Sequence, residues 1–187
     1  GVAPAMIPAR KTRRIRIRDL PVGGDAPIAV QSMAATRTRD VEATLRQVRI
    51  LEAAGADLIR IAVDGPADVE ALAVIRGRTS ARLAVDLQES YRLVADVAPL
   101  VDKVRYNPGH LHHHEKHKSV EEKVAFIVEH ARRHGCAIRI GVNAGSIAPE
   151  YKEFGADHVG AIAQCAVDHC AIVDALGFED YVVSIKD

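Results

Sequence analysis

The chain has 187 residues, 48% apolar and 27% charged, enough for one soluble domain with a sizeable core. Lys+Arg and Asp+Glu balance at 25 each, so no global field draws it to nucleic acid or an acidic membrane, and any anion must be held by locally placed charge. With no Trp and 4% aromatics it lacks stacking platforms for single strands, and no apolar run approaches the ~20 residues of a membrane span.

The first 14 residues, GVAPAMIPARKTRR, are basic and Pro-containing, with an apolar part too short for a signal peptide. They predict a flexible arm, ahead of a domain over residues 15–187. RRIRIRDL followed by PVGG alternates with period two and predicts a hairpin. Core strands are predicted at PIAVQSM (27–33), DLIRIAV (57–63), RLAVDL (82–87), DKVRYNP (102–108), AIRIGVN (137–143) and YVVSIK (181–186). Between them, Val41, Leu45, Val48 and Leu51 form one helical stripe that stops at Gly55. Pro66 suits the first turn of a helix carrying Val69, Leu72 and Ile75. Ser119 and Glu122 have capping-box spacing at the start of a helix closed by Gly135, and a last helix over about 157–176 ends at Gly177. HLHHHEKHK, from His110 to Lys118, predicts a solvated loop on the ligand side of strand four; His113 and His117 would share a face as metal ligands only if the next helix began early. The three cysteines (Cys136, Cys165, Cys170) show no CxxC spacing, and their odd number without a secretory leader predicts reduced thiols in a cytoplasmic protein.

Six strands joined by helical crossovers predict a parallel α/β fold. No GxGxxG or GxxxxGK[ST] follows the first strand, which removes support from the nucleotide-binding open sheets. Polar residues in nearly every strand favour a TIM-type (β/α) barrel, incomplete at about six units plus the hairpin, with the last two strands absent.

Strand residues alternate sides, so each strand divides into two faces. One face carries Ile59, Ile61, Val104, Tyr106, Ile138 and Ile140. The other carries Arg60, Lys103, Arg105, Asn107, Arg139, Gly141, Asn143 and Lys186. Arg60, Arg105, Arg139 and Lys186 are thus expected to converge on one lumen, opposed within the strands by Asp86 alone. Isolated buried charge is costly, so the cations point to a phosphate or diphosphate site, with Gly141 leaving space for the ligand. The alternative is neutralisation by loop acids such as Asp64.

The stretches GGDAPIAVQSM (23–33), DVEATLRQVRILEAAGADLIRIAV (40–63), VDKVRYNPG (101–109), IRIGVNAGS (138–146) and LGFEDYVVSIK (176–186) carry a resemblance. The chain resembles the barrel domain of the 4-hydroxy-3-methylbut-2-enyl diphosphate synthase family, iron–sulfur enzymes of the non-mevalonate isoprenoid pathway. The resemblance implies reductive opening of 2-C-methyl-D-erythritol 2,4-cyclodiphosphate to a linear allylic diphosphate. It also implies a [4Fe-4S] cluster on a separate C-terminal domain absent from this chain, a ferredoxin- or flavodoxin-type electron donor, and a homodimer. Arg60, Arg105, Arg139 and Lys186 fall on its diphosphate-binding positions. Asp86, Asn107 and Asn143 fall on polar positions lining its substrate pocket. The chain departs from the family pattern at Gln88, where a pocket histidine is expected, and at His110, where Asn usually follows NPG.

Two other functions fit the same residues. A phosphate-handling Schiff-base aldolase or lyase would use Lys186 as its amine nucleophile. A non-catalytic barrel fragment would pack on a partner chain through its exposed strand edges.

Overall fold

The computed structural model describes residues 5–6, 15–23 and 29–186. Its strands, in chain order, are β1 (Ala5–Met6), β2 (Ile15–Ile17), β3 (Leu20–Val22), β4 (Gln31–Met33), β5 (Leu58–Arg60), β6 (Leu83–Asp86), β7 (Lys103–Tyr106), β8 (Ala137–Asn143) and β9 (Tyr181–Lys186). The helices are α1 (Val41–Ala53), α2 (Pro66–Arg78), α3 (Val94–Val97), α4 (Val120–His134) and α5 (His158–Ala175). Strands β4 to β9 are parallel and neighbour one another in sequence order. A barrel wall requires that order, whereas a doubly wound sheet reverses at a switch point. The six parallel strands therefore form a partial barrel wall.

Alternation along each strand separates two environments. Ile59, Ile61, Val104, Tyr106, Ile138, Ile140 and Val183 are each at most 1% exposed and pack into the main core beneath the helices. Burying each such side chain contributes roughly 1.5–3 kcal/mol. The helices start and stop where their capping residues dictate. Asp40 caps α1 by accepting from the Ala43 N–H, Ser119 caps α4 by accepting from the Glu122 N–H, and Asp157 caps α5 by accepting from the Gly160 N–H. Gly135 closes α4 at φ 67°, a conformation that spares glycine the Cβ penalty. The β6–β7 crossover, for which no helix is predicted above, is a 3₁₀ turn at Tyr91–Leu93 running into the short α3, and it buries the stripe Tyr91, Val94, Val97, Ala98 and Val101.

The β2–β3 hairpin closes one end of the wall. Ile15 and Ile17 are each 3% exposed, and Ile17 packs on Leu58, Ala84 and Ala137, which stand at the starts of their strands on the inner face. At the sheet's edge, β1 pairs antiparallel with β9, Ala5 opposite Ile185 and Met6 opposite Ser184. The predicted flexible arm otherwise lies outside the described residues, as does the start of the first predicted core strand. Among the described residues no helix is long and apolar enough to cross a membrane.

Candidate anion-binding site

The register of the parallel strands stacks the inward side chains in rows. The lowest cationic row holds Arg60, Ala84, Lys103 and Ala137. Above it stand Asp86, Arg105, Arg139 and Val182, then Gly141 beside Ser184, then Asn143 beside Lys186. Such layering is how barrel interiors fill.

Asp86 is the hub. Its Oδ2 accepts from Arg105 Nη1 at 2.8 Å and lies 3.9 Å from Arg60 Nη1, while its Oδ1 accepts from the Gln88 N–H at 3.0 Å. Arg139 is held differently: its Nε donates to Ser184 Oγ at 2.8 Å. Burial first, then the positive charge of Arg105, lowers the Arg139 pKa, though a guanidinium stays charged. Among the described residues three guanidiniums thus face one carboxylate, an excess of two positive charges. The proposed loop acid does not neutralise them. Asp64 Oδ1 instead accepts from Gln88 Nε2 at 3.3 Å.

Four of the inward residues have positions or partners that parity alone does not show. The space at Gly141 is filled by protein: a Cβ there would stand 2.2 Å from Arg105 Nε, and Arg105 Nη2 donates to the Gly141 carbonyl at 3.2 Å. Asn107 is 3% exposed and spent on structure, its Oδ1 accepting from the Gly109 N–H at 2.9 Å and its Nδ2 donating to Ser146 Oγ at 2.7 Å. Asn143 likewise accepts from the Gly145 N–H at 2.9 Å, so both asparagines cap 3₁₀ turns beside the lumen. Lys186 shares the inward parity but lies at the rim, four residues beyond Val182, which pairs with Arg139. That is about 13 Å along the strand at ~3.3 Å per residue.

The His110–Lys118 loop is anchored rather than merely solvated. Arg92 grips Glu115 with two hydrogen bonds of 2.8 and 2.6 Å. The buried Lys123 Nζ donates to the carbonyls of Leu111 and His114. His113 pairs with Glu89, and His110 Nδ1 lies 3.2 Å from the Gln88 carbonyl. Because α4 starts at Val120, His113 and His117 share no helix face. Gln88, where the family pattern has histidine, adopts φ 51°, an uncommon backbone state for a residue with a Cβ.

Sequence reasoning missed three polar partners of the lumen. Ser184 and Ser146 are separated from Arg139 and Asn107 by 45 and 39 residues, so only register shows those contacts. Lys103 lies on the face already identified, but parity alone does not show that it is buried. A concavity of about 760 Å³ lies outside this lumen, between the start of α4 and α5, and is lined in part by His112, Tyr151 and His169.

Residues 12–187 match the family described as GcpE TIM-barrel domain. The chain belongs to this family. It is 51% identical over 179 residues to a Rhodopirellula baltica protein named 4-hydroxy-3-methylbut-2-en-1-yl diphosphate synthase (flavodoxin), covering 94% of this chain and 47% of that protein. Proteins of the same name from Chromohalobacter salexigens and Pasteurella multocida are 43% and 38% identical, across 96% and 99% of this chain and 47% and 49% of theirs. The chain spans about half the length of these curated relatives. Among solved structures, Yersinia pestis DHPS with a pterine-sulfa conjugate aligns at TM-score 0.61 and 14% identity, over 91% of this chain and 65% of that one. Coxiella burnetii dihydropteroate synthase with pteroic acid aligns at TM-score 0.60 and 11% identity, with the same coverage. These two share the fold alone.

The residues of this GcpE barrel do not fit an iron–sulfur cluster. Cys136, Cys165 and Cys170 are buried thiols, and among the described residues no three His, Cys, Asp or Glu side chains are grouped to hold a metal. Burial pushes the Cys136 and Cys165 thiols up to about 12, away from the thiolate a cluster needs.

Proposed function

We propose that this chain is the substrate-binding barrel of a reductive 4-hydroxy-3-methylbut-2-enyl diphosphate synthase, with residues 15–187 as the barrel portion and 1–14 as its leading arm. The observation that carries the reading is the charge imbalance in the lumen: among the described residues Arg60, Arg105 and Arg139 converge around one carboxylate, that of Asp86. Forked guanidiniums match the oxygens of a diphosphate, and their surplus charge complements its anion. Lys186 at the rim would meet a more distal part of the substrate, and Asn143 and Gln88 would border it. In this reading 2-C-methyl-D-erythritol 2,4-cyclodiphosphate binds here. Its reduction depends on a [4Fe-4S] cluster held elsewhere in a cytoplasmic homodimer and fed by a flavodoxin-type donor.

The test is substrate affinity in the full-length protein. Arg105→Ala and Arg139→Ala should each weaken binding of the cyclodiphosphate about tenfold to a hundredfold, the worth of one charged contact at roughly 1.5–3 kcal/mol. Arg133→Ala, which removes an exposed arginine paired with Glu129 on α4, should leave affinity within about twofold. Equal affinity in all three variants would overturn the assignment.

A further inference from the structure

Lys103 opens β7 on the inward face, one row below Arg105. It is 8% exposed, and its Nζ donates to Gln31 Oε1 at 2.5 Å. Among the described residues no carboxylate forms an ion pair with it. Its row neighbours on either side are Ala84 and Ala137, whose short side chains leave the amine open to the guanidiniums around it. The groups acting on it from the neighbouring elements are Gln31 on β4, Arg60 on β5, Arg105 on its own strand, Arg139 on β8 and Cys136 just before β8; Asp86 on β6 stands one row up, bonded to Arg105, and the hairpin adds Ile17 and Leu20 to the inner floor. Asp102, its chain neighbour, faces away and accepts from Arg76 at 3.3 Å and from the Leu83 N–H at 2.9 Å. Burial first, then Arg139, Arg60 and Arg105, bring the Lys103 pKa down to about 7. The Cys136 thiol beside it, pushed up to about 12, is neutral at that pH.

We propose that Lys103 is a proton-operated fourth cation of the anion site: it sheds its charge when the lumen is empty and takes a proton from solvent when a diphosphate-class anion settles on the three arginines. The inference rests on the diphosphate reading above. The anion offsets the repulsion from the guanidiniums, so protonation becomes favourable, and the new ammonium adds a charge beneath the ligand. Proton uptake is greatest between the free-protein pKa and the raised value in the complex. Below that window the lysine is already charged, and above it the lysine stays neutral in both states.

Calorimetric titration of inorganic pyrophosphate into the full-length protein, in buffers of differing ionisation enthalpy at pH 7.5, counts these protons. Wild type should take up about half a proton or more per pyrophosphate beyond the uptake of Lys103→Met or Lys103→Arg, each checked for folding. The ligand's own titration is common to all three and cancels. Wild type should bind pyrophosphate about tenfold more tightly than Lys103→Met below pH 7, the difference narrowing at high pH. If Lys103→Met does not fold, Lys103→Arg, which keeps a long basic side chain but cannot shed its charge, carries the comparison. Tight binding with equal proton uptake in wild type and variant would overturn the role of Lys103 alone. Failure of pyrophosphate to bind wild type would overturn the anion site itself and this inference with it.

Discussion

Two glycines show how a single hydrogen in place of a methyl serves different ends. At Gly109 a Cβ would stand 1.6 Å from the carbonyl oxygen of Ser146, and backbone cannot move aside cheaply. At Gly141 the obstructing atoms belong to the mobile end of Arg105. Gly109→Ala should therefore cost about 3 kcal/mol of stability through overpacking, measured by urea unfolding. Gly141→Ala should cost only about 1–1.5 kcal/mol, the worth of a displaced hydrogen bond, yet it moves the Arg105 guanidinium off its seat and weakens pyrophosphate binding about tenfold. If Gly141→Ala bound pyrophosphate like wild type, Arg105 would not be a ligand-facing group. The same geometry separates Arg105 from Arg139. Arg105 is the 2.8 Å partner of Asp86, whereas Arg139 bonds a neutral serine. Removing Arg105 leaves Asp86 with Arg60 at 3.9 Å and so costs some stability as well as affinity.

At the scale of elements, the sheet and its floor are separable. Among the described residues the β2–β3 hairpin makes no ladder contact with the parallel strands; it joins them by packing Ile17 onto Leu58, Ala84 and Ala137 and through exposed contacts of Asp19 with Arg82 and of Arg18 with the Ser80 carbonyl. Ile17→Ala should cost about 2–4 kcal/mol and leave the parallel register intact, which hydrogen exchange on β5 to β8 would check. Loss of protection across the whole sheet in native buffer would contradict that independence. Much of this architecture was legible in the chain. Period-two alternation in AIRIGVN and YVVSIK yields β8 and β9 at their observed bounds, and Ser119 and Gly135 mark both ends of α4. β5 ends at Arg60 rather than Val63, although the next residue, Ile61, still donates its N–H to the Ala84 carbonyl at 2.9 Å. The cations of the lumen were legible by parity, but their partners were not. Ser184 meets Arg139, and Gln31 meets Lys103 across 72 residues, through register and curvature that no local pattern carries. Asn107 and Asn143 share that face by parity and fall on pocket positions only through the family resemblance; that each also caps the turn it begins is visible only in the structure.

Over the whole molecule, charge is balanced but not evenly spread. The chain carries 25 cationic and 25 acidic residues, yet the inner face gathers Arg60, Arg105 and Arg139 around one acid, with Lys103 below. Charge of one sign on a concave, low-dielectric wall focuses its field into the lumen, so a compact polyanion is favoured there over one at the outer helices. The central claim is that these arginines serve a ligand rather than the fold. Thermal unfolding of full-length wild type and Arg139→Ala, each with and without inorganic pyrophosphate, tests it most directly. The account predicts that the ligand-free variant unfolds at or above the wild-type temperature, since one unneutralised cation is gone. It also predicts that pyrophosphate at about 100 times its Kd stabilises wild type by about 2.7 kcal/mol and the variant far less. A ligand-free variant destabilised by about 3–5 kcal/mol, with both proteins responding equally to pyrophosphate, would contradict it and make the arginine a structural counter-ion.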